Sequence, residues 1–189
     1  MAQEADVGPL LRAVIGQLDV WWWGAVTMRM AGLSDDEYLW KPVPDAFCLR
    51  RDADGLHYEW PPGSQGEAIP PVTTIAWRLS HIAQGCFYNR WQEYFGDGVV
   101  DWHAEPFPET AAGALAYFEE WKARWCDALS AAGDDALWRP LGPEPNVPVM
   151  QLGPEDPFIG MVLHVHREVM HHGAEICLLR DLYRARSVT

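Results

Sequence analysis

The stretch from His164 to Arg184, HVHREVMHHGAEICLLRDLYR, decides how the rest of the chain is read. It reads as part of a long helix running from about Phe158 to Tyr183, with Arg180 and Arg184 near its C-terminal end, where cations suit the helix dipole. At about 100° per residue, His164, Glu168, His171 and Glu175 fall on one narrow stripe, with His172 at its edge. Only His166 points elsewhere. The stripe continues as Leu178, Leu179 and Leu182, so the ionisable face is the one that turns apolar two turns later, and it is expected to point at least partly inward. Burying imidazoles and carboxylates is costly unless they are paired or ligate a metal. Glu168 and His172 are four residues apart, the spacing at which two side chains of one helix reach the same ion.

A third ligand must come from another element, and His81 is the best candidate. It shares a helix face with Trp77, Gly85 and Tyr88, a mix of bulk and space that suits a pocket wall. The expected metal ligands are therefore His81, Glu168 and His172, with His164 or His171 as alternatives to Glu168 in completing the set. Three protein ligands leave positions open for water or substrate, the catalytic rather than the structural pattern. His171, Glu175 and His164 are the candidate general bases or orienters of a ligand. A hydrogen-bond network without metal would also satisfy these groups. His57 and His103 lie in loop-like sequence and read as solvated.

Working outward, the fold class is all-α. Apolar residues at helical spacing from about Val7 to Met30 give the first long helix, ended by Gly32. Ser34 then looks like an N-cap of a short acidic turn running to Trp40. FCLRR and LHYEW flank DADG in the manner of a hairpin turn. Thr73 or Thr74 caps a second long helix that reaches Phe95 and stops at Gly96. A third starts near Pro108 or Glu109 and ends at Gly133. DDALWRP at Asp134 to Pro140 echoes DDEYLWKP at Asp35 to Pro42, and Asp35, Asp36, Asp134 and Asp135 read as helix-start acids. The sum is a four-helix bundle with a long crossover connection and a small hairpin-like insertion between helices 1 and 2, occupying residues 1–189 as one domain.

The chain has 189 residues, 49% of them apolar, enough for a sizeable core without staples. A net charge of −13 repels phosphate backbones and anionic lipid, which argues against nucleic acid as a partner. No apolar run is long enough to span a membrane. The four cysteines form no CxxC pair and the N-terminus is polar, so the expectation is a cytoplasmic protein with reduced, mostly buried thiols. Eleven tryptophans either pack the core and interfaces or form an aromatic wall around an organic ligand.

The motifs of the second and fourth long helices resemble those of the DinB-like superfamily, also called the YfiT-like metalloenzymes. In that family a histidine is followed four residues later by HRGQ or a near variant. Here Glu168 stands where the first histidine is usual, His172 matches the second, and GAE at Gly173 to Glu175 replaces RGQ; WRLSHIAQ around His81 is similar to the family's helix 2 motif. The resemblance spans essentially the whole chain in helix order. It implies a four-helix bundle, usually a homodimer, with a zinc or nickel site of three side chains. It also implies thiol-dependent chemistry on a small electrophilic substrate, as in S-transferases and isomerases that use mycothiol or bacillithiol. Metal-dependent hydrolysis and non-catalytic binding of a small ligand or metal are the alternative readings. Glu168 in place of histidine alters the site without abolishing it, because a carboxylate is a competent ligand.

Overall fold

The computed structural model describes residues 7–62, 71–98, 105–142 and 152–186, the side chains of residues 21–23 excepted. His103 lies outside the described residues. The chain is mostly helical. Its first long helix, α1, covers residues 9–30 as three consecutive pieces, Pro9–Gly16, Gln17–Trp23 and Gly24–Met30, the middle one wound in π turns. The short helix α2 spans Asp35–Tyr38, and the Ser34 hydroxyl accepts from the Glu37 amide as its N-cap. The second long helix, α3, covers residues 75–95 as Ile75–Ser80, His81–Tyr88 and Asn89–Phe95. Thr74, not Thr73, supplies its capping oxygen, to the Trp77 amide. The two remaining long helices are α4, Ala111–Ala132, capped by Thr110, and α5, Ile159–Ala185. Gly133 follows α4 with φ 79°, a region that residues bearing a Cβ rarely adopt. A 3-10 turn, Asp134–Trp138, comes next.

The hairpin expected at DADG is present. Strands β1, Arg50–Asp52, and β2, Gly55–His57, pair antiparallel with Asp52 opposite Gly55, so Ala53 and Asp54 make the turn. The hairpin is tied down on both sides. The Phe107 amide donates to the Leu56 carbonyl at 2.6 Å, and Phe47 exchanges backbone hydrogen bonds with Val72 and Thr74 just ahead of α3. This docking carries the residues after β2 onto the flank of α3.

The long helices pack so that α1 touches α4 and α5 while α3 touches the same two. Between them lies the apolar core: Leu11 and Leu18 from α1, Leu79, Ile82 and Phe87 from α3, Phe118 and Trp125 from α4, and Val165, Val169 and Ile176 from α5, all fully buried. Among the described residues no helix is long and apolar enough to cross a membrane.

The two echoing acidic turns do more than start their own helices. Asp35 accepts from the Ala111 amide at 2.8 Å and so caps α4, while the two Asp134 oxygens take the Leu10 and Leu11 amides at 3.1 and 3.0 Å and cap α1. Each acid neutralises the positive end of a helix distant in sequence.

Arg180 differs from the expectation that it merely sits near a helix end. It is 1% exposed and forms a two-pronged ion pair with buried Glu37, Nε to Oε1 at 2.7 Å and Nη2 to Oε2 at 3.0 Å. Its Nη1 also donates to the carbonyls of Arg29 and Ala31 at the end of α1. The pair fastens α5 to the α1–α2 corner.

A candidate metal centre between α3 and α5

His81, Glu168 and His172 converge. Their ligand atoms all lie within 4.8 Å of one another, with Glu168 Oε2 at 3.4 Å from His81 Nε2 and 3.5 Å from His172 Nε2. A tetrahedral ion with ligand bonds of about 2.0–2.1 Å separates its donor atoms by about 3.3–3.4 Å. The two separations from Glu168 thus match the spacing a zinc-type ion would impose, and the set of two imidazoles and a carboxylate is compatible with a divalent metal.

Both imidazoles are held from behind. His172 Nδ1 lies 2.6 Å from Glu175 Oε2, and His81 Nδ1 lies 2.9 Å from the Tyr58 hydroxyl. Each ring therefore spends Nδ1 on an outer partner and presents Nε2 to the centre, the usual arrangement of metal-ligating histidines. Burial pushes the His172 imidazole down to about 4, in spite of the opposing influence of Glu168, so it is neutral at neutral pH. Burial alone would raise the Glu168 carboxyl, but its contacts with the His172 and His81 imidazoles hold it well below the usual carboxylate range. The other Glu168 oxygen faces Arg167 Nη2 at 3.2 Å and His164 Nδ1 at 3.6 Å. Burial likewise depresses His164 to about 4.

Aromatic rings wall the His81 side. Trp77 stacks on His81 at 5.2 Å with the planes 8° apart, and Trp60 meets the same imidazole edge-on at 5.5 Å. Trp77 is fixed in turn by its indole N–H, which donates to the Glu59 carbonyl at 2.8 Å. Trp60 and Trp77 thus line the His81 side of the site, whereas Trp125 is a core residue at 0% exposure. His81 also opens the π-turn segment of α3, and such segments recur at functional sites.

A model of the DinB superfamily matches residues 20–176, most of the chain. The chain belongs to the DinB superfamily. No curated protein and no solved structure matches it. The match includes His81, Glu168 and His172, so these residues fall within the DinB region of the chain.

Within this DinB site the remaining candidates separate. His171 is 62% exposed and reaches Glu175 at 3.4 Å and the His172 ring at 4.9 Å, so it stands on the outer side of α5 and outside the group of His81, Glu168 and His172. His171, His172 and Glu175 form a second cluster of ligand-type atoms. The Arg78 guanidinium, however, is already paired with Glu175 and lies 3.1 Å from His172 Nδ1, so a cation is in place there. Arg78, one turn before His81, was not legible as a site residue; its burial lowers it to about 10 without discharging it. Tyr58 was equally silent, being far from the motif and delivered by the hairpin.

Three local expectations are corrected. His57 is 4% exposed rather than solvated, because β2 faces the body of the protein. Leu178 and Leu182 are 58% and 47% exposed; only Leu179 of that stripe is buried, and the two outer leucines join Trp40, Val43 and Val72 along a surface groove of about 540 Å³. Of the four free cysteines, Cys86 alone is fully buried. His166, off the stripe as expected, is in the core and accepts from the Trp125 indole at 3.2 Å.

Proposed function

We propose that this protein is a metal-dependent enzyme built as a DinB-type four-helix bundle, with His81, Glu168 and His172 holding a divalent zinc or nickel ion. The observation that carries the reading is the convergence of Nε2, Oε2 and Nε2 from two helices at 3.4 and 3.5 Å, with each imidazole tied down through Nδ1. When bound, such an ion supplies Lewis acidity, lowering the pKa of a coordinated thiol or water.

The chain's own residues set the rest. Tyr58 and Glu175 orient the two imidazoles; Arg78 holds Glu175; Trp60 and Trp77 keep water from the His81 flank. His164 is neutral near pH 7, with Nδ1 2.6 Å from Arg167 Nη2 and 3.6 Å from Glu168, which suits a group that orients Glu168. Cys86 Sγ lies 4.0 Å from His81 Nε2, but burial pushes its thiol far above its ordinary value, so it does not serve as the nucleophile. The nucleophile then comes from outside the chain. A low-molecular-weight thiol of the mycothiol type, transferred to or isomerising a small electrophile, is the reading we adopt. The homodimer and the cytoplasmic setting belong to the same proposal.

The test is direct. Metal-loaded protein incubated with mycothiol and a generic electrophile should form conjugate, and His172→Ala should not. Tight metal binding without conjugate from any thiol would overturn the transferase reading, and ester hydrolysis in the thiol-free arm would replace it with metal-activated water.

A further inference from the structure

The two imidazoles at the centre are backed by groups of different hydrogen-bonding character. Glu175 is a carboxylate and can only accept; at 2.6 Å from Nδ1 it is nearer than the Arg78 guanidinium, 3.1 Å from the same nitrogen, and than Glu168 Oε2, 3.5 Å from Nε2, so the proton of neutral His172 sits on Nδ1 and the Nε2 lone pair faces the centre. Tyr58 is a hydroxyl and can donate or accept. It is buried, and burial, followed by the proximity of Cys86 and Glu168, keeps it a neutral phenol. His81 therefore has at Nε2 the acceptor-only carboxylate oxygen Glu168 Oε2, 3.4 Å away, with the weakly bonding Cys86 sulfur farther off at 4.0 Å, and at Nδ1 a two-way hydroxyl 2.9 Å away. Without an ion, that combination sets the proton on Nε2, donated to Glu168, with the Tyr58 O–H donating to Nδ1.

We propose that Tyr58 is a positioning residue that lets His81 exchange tautomers when a metal binds, whereas His172 is preset. For His81 to ligate, its proton must leave Nε2 and appear on Nδ1. The Tyr58 hydroxyl then turns its own hydrogen away and accepts from Nδ1–H. In a neutral imidazole this exchange moves one proton between two ring nitrogens, and none is gained or lost. The switch rests on the metal reading above, and it assigns a role in that centre to the hairpin insertion: β2 delivers Tyr58 to the back of His81. Phenylalanine at this position would keep the ring packing on Trp77, at 5.7 Å, and remove only the hydroxyl. Loss of such an outer partner weakens metal binding about 10- to 100-fold.

The experiment is long-range ¹H–¹⁵N correlation of histidine side chains in the full chain, with and without Zn²⁺, paired with Zn²⁺ titration of Tyr58→Phe. Expected are a proton on Nε2 of His81 and on Nδ1 of His172 in the metal-free protein, and on Nδ1 of both with Zn²⁺. Tyr58→Phe should bind Zn²⁺ about 10- to 100-fold more weakly, with the His172 tautomer unchanged. Zn²⁺ binding by the wild type with the His81 proton already on Nδ1 beforehand, or a Tyr58→Phe affinity within twofold of wild type, would overturn the switch while leaving the metal centre standing. No Zn²⁺-dependent change at either histidine would overturn both.

Discussion

Glu37→Ala tests how the metal-bearing helix is anchored. The substitution removes the carboxylate that pairs with Arg180 at 2.7 and 3.0 Å and leaves the guanidinium, 1% exposed, with only backbone carbonyls for company. Both partners are shielded from water, so solvent screening does not soften the loss. Removing one member of a buried pair costs about 3–5 kcal/mol. For a chain of this size each kcal/mol moves the melting midpoint by about 2–4 °C, which gives a fall of about 6–20 °C. Replacing both groups, Glu37→Leu with Arg180→Met, should recover most of it, because no uncompensated charge is then left buried. Thermal unfolding followed by circular dichroism at 222 nm, checked by urea titration, reads both variants. A loss below about 1 kcal/mol in the single variant, or equal losses in the single and double variants, would show that the pair is not what fastens α5 to α1 and α2.

Asp134→Ala should destabilise the fold by about 0.5–2 kcal/mol, seen as a lower urea midpoint, because two amides at the start of α1 lose their acceptor. Stability should also fall with acid. Burial lowers the core residue His166 to about 4, so the unfolded chain binds its proton first; the stability is whole above about pH 6.5 and declines as pH drops toward 4, by about 3 kcal/mol from this one group. A urea midpoint unchanged between pH 7 and pH 4 would contradict it. Glu175→Ala should weaken Zn²⁺ binding about 10- to 100-fold, as read by titration calorimetry, and Glu175→Gln, which keeps an acceptor oxygen for His172 Nδ1–H, should do so less.

Much of this was written locally in the sequence. Ser34 and Thr74 cap where their hydroxyls predict, Gly133 ends α4, and the DADG hairpin forms with Ala53 and Asp54 at its turn. The spacing of Glu168 and His172 and the face around His81 sufficed to bring three side chains together. Partners from distant segments were not legible. Tyr58 reaches His81 only because the hairpin docks against Phe107 and Val72, and Arg78 reaches Glu175 only because α3 crosses α5 there. Helical phase also has a limit. It put His171 and Leu178 on the inward stripe, yet both are exposed. The π turns of α1 and α3 carry no periodic signature of their own, so they too were invisible.

The central claim is that His81 Nε2, Glu168 and His172 Nε2 share one divalent cation. Equilibrating the purified protein with Zn²⁺ or Ni²⁺, removing excess, and measuring bound metal per chain in wild type, His81→Ala and His172→Ala tests it most directly. About one ion per chain in the wild type and almost none in either variant is the predicted result. A wild type that retains no metal, or variants that retain as much as it does, would contradict it.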